Sequence, residues 1–449
     1  MAPNIIDDLV NSIQKTWGDF GFDITPLNLT LTFLALLLPF LSAYILALSQ
    51  QEVPLAAPAG CRKIGLRGRT NLHDQFSHKY TSNGGTSTTK PWTVKALFIY
   101  PIKSCGPVEL EKTDIVTTGL RYDRQFTLAQ YSTSLPTLQG KVTSEWKFIT
   151  QRSFPRLAKV ETEIWVPDPS LPDYDKDGEW VKSQGCVVVR FPFTPDTDFS
   201  VQGLKNIGKI LAAKLEWKSE PMVEFRLPFN PDQERIKNKQ YIKENMKIWK
   251  DSPIALNMGC EIPDEIMAQL KYTLGVTNPL TLFRIDEEMY REVYKCAPKK
   301  KDVGFQPTIG MSDSYPIHIM NLASVHDVSS RLPANSSVSR LSALRFRPNV
   351  LITGPPAFDE DDWKEARIGK SLLYISCRTT RCKLPNVDPE TGTADRNEPG
   401  TTLLKYRVID GGSKSACLGM QVTPIGEGEI QVGDTVKVQE RGEHFFLSQ

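Results

Sequence analysis

Residues 371–392 read SLLYISCRTTRCKLPNVDPETG and hold the features that decide both the fold and the chemistry. The first seven letters are typical of a buried strand, which leads into two thiols, Cys377 and Cys382. Arg381 directly precedes the second thiol, and an Asp-Pro-Glu-Thr-Gly turn follows it. Neighbouring arginines favour a thiolate, which is a soft ligand for a redox-active metal. Two buried structural cysteines, or part of a zinc site, remain open alternatives, although no CxxC or HxxxH pattern completes a zinc site.

Similar short runs on either side of this stretch predict a mostly β fold. They are rich in β-branched and aromatic residues and are separated by Gly, Pro and Asp, as in VKALFIYPI, DIVTTGL, RQFTLAQY, LAKVETEIWV, CVVVRFPF, FRPNVLITG, LLKYRVI and IQVGDTVKV. Helical spacing of apolar residues predicts helices over 261–274, with Gly275 as the C-cap, and over about 323–331. The pattern favours an α+β fold of two linked β-rich units, arranged as small barrels.

Net charge and the numbers of cysteines and histidines indicate which partners, compartment and metal ligands to expect. The 449 residues carry a net charge of only +2, which gives no reason to expect a nucleic-acid partner. Eight cysteines scattered along the chain do not resemble a disulfide framework and favour a reducing compartment. With only five histidines, a soft metal would have to use thiolate.

The N-terminal region contains a candidate membrane span. Residues 25–51 carry no charge, and residues 27–48 would extend over roughly 33 Å as a helix, enough to cross a bilayer. Basic residues between 62 and 69 follow the apolar run, so the positive-inside rule places the large C-terminal part in the cytosol. The alternative is a buried helix of a soluble core.

Three further segments place donor side chains beside strand-like runs: YPIKSCG, GLRYDRQF and FRPNV. Their side chains Lys103, Ser104, Arg124, Arg347 and Asn349 could together bind an anionic ligand, because the guanidinium fork donates two hydrogen bonds to phosphate. Taken singly, each is better explained as an ordinary surface charge or a structural ion pair.

Together these segments resemble a known family. YPIKSCG, GL..DRQF and TQRSFPRLA are similar to the β-barrel domain that precedes MOSC domains. KIWKDSPIALNMG, LASVHDVSSRL, FRPNV, EDDWKEARIG, RCKLPNVDPETG and the closing G.I.VGD.V resemble the rest of that family, in particular its membrane-anchored, amidoxime-reducing members. The resemblance runs in order from Trp92 to about Val438.

The resemblance implies an α+β, mostly β fold, in which a MOSC N-terminal β-barrel domain and a MOSC β-barrel domain follow one N-terminal transmembrane helix. The expected organisation is a short tail at 1–24, a membrane anchor at 25–50, a flexible linker at 51–91, the N-terminal barrel domain at 92–284 and the MOSC domain at 285–441.

It also implies a molybdenum-molybdopterin cofactor with Cys382 as the catalytic residue and the protein ligand to the metal. The residues implied to bind the cofactor are Lys103, Ser104, Arg124, Ser314, Arg347, Asn349, Thr380 and Arg381. Cys105 and Cys377 are expected to be structural.

The implied reaction removes oxygen from a small N-hydroxylated substrate, an amidoxime or hydroxylamine. No Gly-rich dinucleotide or flavin fingerprint is visible, so a b-type cytochrome and its flavin reductase are the expected electron donors. The mitochondrial outer membrane is the expected location. The alternatives are a cofactor carrier or sulfur-transfer protein, whose relatives carry a large pyridoxal-phosphate domain in front, and a non-catalytic membrane adaptor.

The sequence departs from the family pattern at three places. Pro385 and Asn386 stand where animal members have two threonines, Gln421 stands where an aromatic residue is expected, and residues 168–185 are longer than usual. These differences leave the cofactor assignment in place and bear on the choice of substrate.

Overall fold

The structure is a computed structural model that describes residues 26–50, 55–81, 91–136, 140 and 142–447. The predicted tail lies outside these residues, as do residues 51–54 and 82–90 of the predicted linker. The described chain forms two compact units. One contains the N-terminal helix and residues 193–222, and the other contains the rest of the chain from residue 56.

The largest sheet combines strands from both predicted domains. Its eight strands, in spatial order, are β22 (Val436–Arg441), β18 (Trp363–Ile368), β19 (Ser371–Thr380), β20 (Cys417–Pro424), β16 (Ile317–Asn321), β17 (Val350–Thr353), β2 (Thr93–Ile99) and β3 (Val108–Leu110). All neighbours are antiparallel except β16 and β17. A core that includes Phe98, Met320, Phe346, Leu351 and Leu418 contains apolar side chains from four of these strands. The two predicted domains therefore share a sheet; their exact limits stay a prediction.

The second large element is a closed barrel. Its strands are β11 (Ile242–Lys247), β12 (Ile254–Asn257), β13 (Leu280–Ile285), β6 (Phe126–Thr133) and β7 (Ser144–Phe148), with β7 and β11 parallel. Met246, Ala255 and Phe283 fill its interior. Together with the large sheet, the barrel confirms the predicted mostly β fold.

Three smaller sheets complete the described strands. One contains β1 (Cys61–Ile64), β8 (Glu161–Pro167), β9 (Cys186–Pro192) and β10 (Met222–Pro228); another contains β21 (Gly428–Gln431), β4 (Lys112–Val116) and β5 (Gly119–Leu120); the third pairs β14 (Arg291–Glu292) with β15 (Thr308–Ile309).

The prediction of a flexible linker at 51–91 is wrong for residues 55–81. Strand β1 lies in this range and pairs with β8, and Leu72 is buried in the core of the large sheet. The side-chain oxygen of Gln75 accepts a hydrogen bond from the backbone N–H of Ala343 at 3.0 Å. The segment is poor in apolar residues, but its polar groups replace their hydrogen bonds to water with bonds to the folded domain.

The described helices are α1 (Pro26–Ser49), α2 (Glu179–Lys182), α3 (Val201–Leu215), α4 (Gln233–Asn238), α5 (Asp264–Leu274), α6 (Lys300–Val303), α7 (Leu322–Ser330) and α8 (Gly400–Tyr406). Helices α5 and α7 match the two predicted helices, and Gly275 closes α5 in the left-handed conformation at φ 72°. The predicted strand LLKYRVI is wrong, because its first four residues belong to α8. Leu403 and Tyr406 are three residues apart and both contact the core, as in a helix.

Helix α1 covers the predicted membrane span. Residues Thr30–Ser49 are long and apolar enough to cross a membrane, and nearly all of them are exposed. It is the one helix of this kind among the described residues. A large exposed apolar surface favours contact with lipid over contact with water.

One buried carboxyl makes the stability of the fold depend on pH. Glu360 is fully buried and accepts hydrogen bonds from the Ser324 hydroxyl at 2.7 Å and the Asn321 amide at 3.2 Å. Burial, together with the charge of Asp361, raises the pKa of Glu360 from 4.5 to about 7. The folded state therefore binds this proton more tightly than the unfolded state, so stability falls as pH rises from about 4.5 to above 7.

We expect Glu360→Gln to stabilise the protein at pH 8 by about 3 kcal/mol, because the amide cannot ionise. The gain should shrink towards zero near pH 4.5. Thermal unfolding followed by circular dichroism across this range measures the effect. Exposed Glu427 provides a control, since Glu427→Gln should leave stability unchanged at every pH. A gain that does not vary with pH would contradict the ionisation argument.

Candidate functional site

Strand β19 presents Cys382 at the surface. The strand ends at Thr380, and Arg381 and Cys382 follow directly. The Cys382 side chain is exposed, and its sulfur accepts a hydrogen bond from the backbone N–H of Leu384 at 3.4 Å. Cys377, on the same strand, is fully buried. The two thiols of the motif thus have different environments, and only Cys382 is accessible to a ligand.

Arg345 fixes the loop that follows Cys382, although the sequence did not identify it. Its guanidinium pairs with Asp388 at 2.5 Å and donates to the backbone carbonyls of Pro385 and Asn386. Asn386 is buried, and its side-chain oxygen accepts from the N–H of Gly400 at 3.0 Å. Asn386, one of the departures from the family pattern, therefore helps to hold this loop in place.

Arg381 connects the Cys382 loop to the sheet. Its guanidinium donates to the carbonyls of Leu418 at 2.9 Å and Phe346 at 3.1 Å, and to Nε2 of His318 at 2.6 Å. Burial lowers the pKa of Arg381 to about 9, and burial together with Arg381 lowers that of His318. Since Nε2 accepts, the proton of His318 lies on Nδ1, which faces the carbonyl of Arg347 at 3.2 Å.

Asn349 joins three other elements. It is fully buried; its side-chain oxygen accepts from Arg124 at 3.0 Å and from the N–H of His318 at 3.1 Å, and its amide donates to the carbonyl of Phe98 at 3.1 Å. Asn349 thus brings together β2, β16 and the loop that carries Arg124. Arg124 of the GLRYDRQF segment and Asn349 of the FRPNV segment are therefore in direct contact in the folded chain.

Arg124 and Arg347 lie on the same aromatic ring. Their guanidinium carbons are 5.0 and 3.9 Å from the ring centre of buried Tyr100. Arg124 also pairs with the neighbouring Asp123, which in turn accepts from the backbone N–H of Tyr100 at 2.8 Å. Arg347 donates from Nη1 to the carbonyl of Cys105 at 2.7 Å, while its buried Nη2 has no hydrogen-bond partner. A buried donor without a partner indicates a missing acceptor.

Lys103 is a third buried cation. It pairs with Asp313 at 2.5 Å, and Trp249 donates to the same carboxylate at 2.8 Å. Burial lowers the pKa of Lys103 to about 8, against the attraction of Asp313. The Asp313 side chain is itself 60% exposed, and the charge of Lys103 together with the hydrogen bonds from Lys103 and Trp249 holds the pKa of Asp313 below its usual range. Asp313 and Trp249 were not identified from the sequence.

Three residues of the site have a left-handed backbone. Ser104, Arg124 and Arg347 have φ values of 66°, 47° and 53°. This conformation is uncommon for residues other than glycine, and it tends to persist where the surrounding structure enforces it at functional sites. The three residues come from the three segments that the sequence singled out as anion-binding.

The charges of the site favour an anionic ligand. Lys103 is buried, and Arg124, Arg347 and Arg381 are partly buried. The carboxylates paired with these cations are buried Asp123 and exposed Asp313. Burial also lowers the pKa of Arg347 to about 10. Buried cations in excess of their carboxylates are stabilised by a bound anion such as a phosphate.

The structure leaves some predicted residues without a defined role. Thr380 and Ser314 are half-buried, at the end of β19 and beside Asp313, and their contact with a cofactor stays a prediction. Gln421, on β20, pairs with His318 and Cys377 across the sheet.

The described residues contain no group of three or more His, Cys, Asp or Glu side chains placed to hold a metal ion. The accessible thiol, the buried cations and the unpaired Arg347 donor together fit a metal carried by an anionic organic cofactor.

Comparison with known proteins identifies the same two regions. The family model of the MOSC N-terminal beta barrel domain matches residues 92–220, and that of the MOSC domain matches residues 306–437. Together the two models cover more than half of the chain.

Several named relatives are similar to part of this chain. Mitochondrial amidoxime-reducing component 1 of Mus musculus is 38% identical over 133 residues, which are 28% of this chain and 38% of the relative. The protein of the same name in Danio rerio is 32% identical over 181 residues, 40% of this chain and 53% of the relative. Molybdenum cofactor sulfurase of Oryza sativa subsp. japonica is 23% identical over 343 residues, 75% of this chain and 32% of the relative.

The matched region thus spans about half or less of these relatives' length. The two domain matches nevertheless occur in the order that the sequence motifs predict, and they contain Lys103, Arg124, Arg347 and Cys382. The chain therefore belongs to the family of proteins that join a MOSC N-terminal beta barrel domain to a MOSC domain.

Proposed function

We propose that this protein is a membrane-anchored, molybdenum-cofactor-dependent oxidoreductase that reduces N-hydroxylated compounds such as amidoximes and hydroxylamines. The observation that carries the proposal is the accessible Cys382 thiol beside a cluster of buried cations in which Arg347 has an unpaired donor. Relatives named as amidoxime-reducing components support the choice of reaction.

The proposed cofactor site uses the residues that the family pattern implies. Cys382 would bind molybdenum as a thiolate, which suits a soft metal ligand. Lys103, Ser104, Arg124, Ser314, Arg347, Asn349, Thr380 and Arg381 would hold the pterin and its phosphate. When bound, the cofactor supplies the two electrons that cleave the N–O bond, and two protons complete the amidine or amine and water.

The protein's own side chains prepare the site for this ligand. Arg347 is oriented by the Cys105 carbonyl and the Tyr100 ring, so its free Nη2 is directed before the cofactor binds. Arg381 and His318 fix the backbone from which Cys382 extends. Such preorganisation lowers the cost of ordering the site on binding.

Electron donors and location follow from the same proposal. A b-type cytochrome and its flavin reductase would supply the electrons, and helix α1 would hold the protein in the mitochondrial outer membrane with the catalytic part in the cytosol. The exposed apolar length of α1 and the mitochondrial relatives support this location.

The test is to purify the full-length protein from a host that makes the cofactor and to measure molybdenum by mass spectrometry beside benzamidoxime reduction with an artificial electron donor. We expect near-stoichiometric molybdenum and reduction of the substrate. A folded protein without molybdenum would reject the proposal and favour a membrane adaptor.

Similarity to the rice sulfurase over most of this chain favours one second candidate, a cofactor carrier or sulfur-transfer protein. The same preparation distinguishes the two functions. Bound cofactor with sulfur-transfer activity, but without reduction of the N–O bond, would favour the second candidate.

Arg347→Gln should weaken retention of the cofactor while the protein stays folded. The change removes a buried charge-assisted donor worth about 1.5–3 kcal/mol, which corresponds to roughly 10- to 100-fold weaker binding. Molybdenum per chain after extensive dialysis measures the loss, and circular dichroism monitors folding. Arg331, an exposed arginine paired with Asp327, provides the control, since Arg331→Gln should retain the metal. Equal retention in both variants would argue against a role for Arg347.

A further inference from the structure

The segment between β9 and β10 carries an apolar stripe that extends beyond its contact with the rest of the unit. Val201, Leu204, Gly208 and Leu215 recur at intervals of three, four and seven residues along α3, so they share one face of the helix. Gly208, in the middle of the stripe, is buried, whereas Val201, Leu204 and Leu215 towards its two ends are exposed. Exposed apolar side chains on one face of a helix indicate a surface that is covered by lipid or by another molecule.

Gly208 places this helix against the end of the apolar helix α1. A Cβ atom at position 208 would lie 2.6 Å from Cγ of Gln50 and 3.0 Å from Cγ of Leu46. Leu46 lies in the last turn of α1, and Gln50 follows it. Where α1 crosses a bilayer, a helix packed at this end lies at the depth of the lipid headgroups, beside the hydrocarbon core.

An exposed aromatic side chain lies just beyond each end of α3. Phe199 and Trp217 are 104% and 97% exposed, so they make almost no contact with the described protein. Aromatic residues, tryptophan in particular, are enriched where proteins meet the membrane–water interface. An aromatic residue in this position at each end of the helix fits insertion into lipid.

The charged residues on and around α3 are compatible with contact between this helix and a lipid bilayer. Residues 193–222 contain four lysines and four acidic residues, so the segment is close to neutral and does not depend on anionic lipid. Lys205 and Lys214 are exposed on α3 and can bury their alkyl chains against the stripe while their ammonium groups stay in water.

We propose that residues 199–217 form a second membrane contact, in which α3 lies in the headgroup region of the bilayer crossed by α1 with its apolar stripe and aromatic ends inserted in the lipid. The inference rests on the proposed membrane anchor. A single spanning helix leaves rotation about its axis free, whereas a second contact beside it would restrict that rotation.

The test uses full-length protein in vesicles of phosphatidylcholine and phosphatidylethanolamine, with or without bromine on the acyl chains near the headgroups. Bromine quenches tryptophan at short range. The emission of Trp217 is obtained as the difference between the wild type and Trp217→Phe, and that of Trp180, outside the stripe, from Trp180→Phe. We expect brominated lipid to remove most of the Trp217 emission and to leave the Trp180 emission unchanged.

Two results would overturn the proposal. Trp217 emission that bromine leaves intact and that aqueous acrylamide quenches would show a solvated side chain. Emission shielded from both quenchers would show that protein, such as a second copy of the chain, covers the stripe.

Alkaline carbonate extraction separates failure of the second contact from failure of the anchor. A chain washed from the vesicles would reject the anchor, whereas a retained chain with unquenched Trp217 would reject the second contact alone. As an independent variant, Phe199→Asp should expose Trp217 to acrylamide without releasing the protein. Leu135→Asp, at an equally exposed apolar residue elsewhere, should have neither effect.

Discussion

Cys382→Ser is expected to abolish benzamidoxime reduction in a protein that folds normally. Serine keeps the size of the side chain but replaces a soft thiolate with a hard hydroxyl that stays protonated at neutral pH. Loss of groups that only support a metal ligand already costs about 10- to 100-fold, so loss of the ligand itself should cost more than about 100-fold in kcat/KM. Because the thiol is exposed and accepts a single backbone hydrogen bond, the melting temperature should change little.

The measurement compares the steady-state rate and the molybdenum content of wild type and variant. Metal can persist in the variant through the other groups that hold the cofactor, so the rate is the decisive quantity. Cys260 is also exposed and provides a matched control, since Cys260→Ser should keep full activity. A Cys382→Ser protein with a normal rate would show that the thiol is not the metal ligand.

Asn349→Leu should lower the free energy of unfolding by about 3 kcal/mol, because leucine has a similar volume but none of the three buried hydrogen bonds. The change leaves the N–H of His318 and the carbonyl of Phe98 buried without this partner, at about 1–3 kcal/mol for each such group. Arg124 retains Asp123 but loses its second acceptor. The melting temperature should fall by roughly 4 °C, because the entropy of unfolding is large for a unit of this size.

A second variant separates the contributions at this position. Asn349→Asp keeps acceptors for Arg124 and His318 and loses only the donor to Phe98, so it should be less destabilised than Asn349→Leu. Thermal unfolding of both variants gives the comparison, with Asn397→Leu at an exposed position expected to have almost no effect. Equal stability of Asn349→Leu and wild type would contradict the role of Asn349 as a buried connection.

Local sequence patterns predicted those parts of the fold that depend on local interactions. The spacing of apolar residues and the position of Gly275 predicted helix α5, and the short, largely apolar run before Cys377 predicted β19. The prediction of a strand over LLKYRVI was wrong because a short apolar segment fits a strand or a buried helix equally well. The prediction of a flexible linker was wrong for residues 55–81 because polar contacts hold this segment on the folded domain, and composition does not reveal such contacts.

The candidate site required tertiary structure for its connections. Motifs identified Lys103, Arg124, Arg347 and Cys382, but Arg124 and Asn349 are 225 residues apart in the sequence. Arg381 and His318 are 63 residues apart, and no sequence motif identified His318 as part of the site. Asp313 lies directly beside Ser314, the weaker of the predicted cofactor contacts, yet its pairing with Lys103 across 210 residues has no local signal.

The large sheet pairs strands that are synthesised at very different times. Strand β2 is made early, but its partner β17 follows much later, since Phe98 and Asn349 are separated by 251 residues. At about 5–20 residues per second, a ribosome needs roughly 10–50 s to make that interval. During this time the apolar edge of β2 is unpaired, a state that favours aggregation and binding by chaperones. The candidate site is thus completed only after Cys382 has emerged from the ribosome, so the proposed cofactor would have to bind late in synthesis or after it.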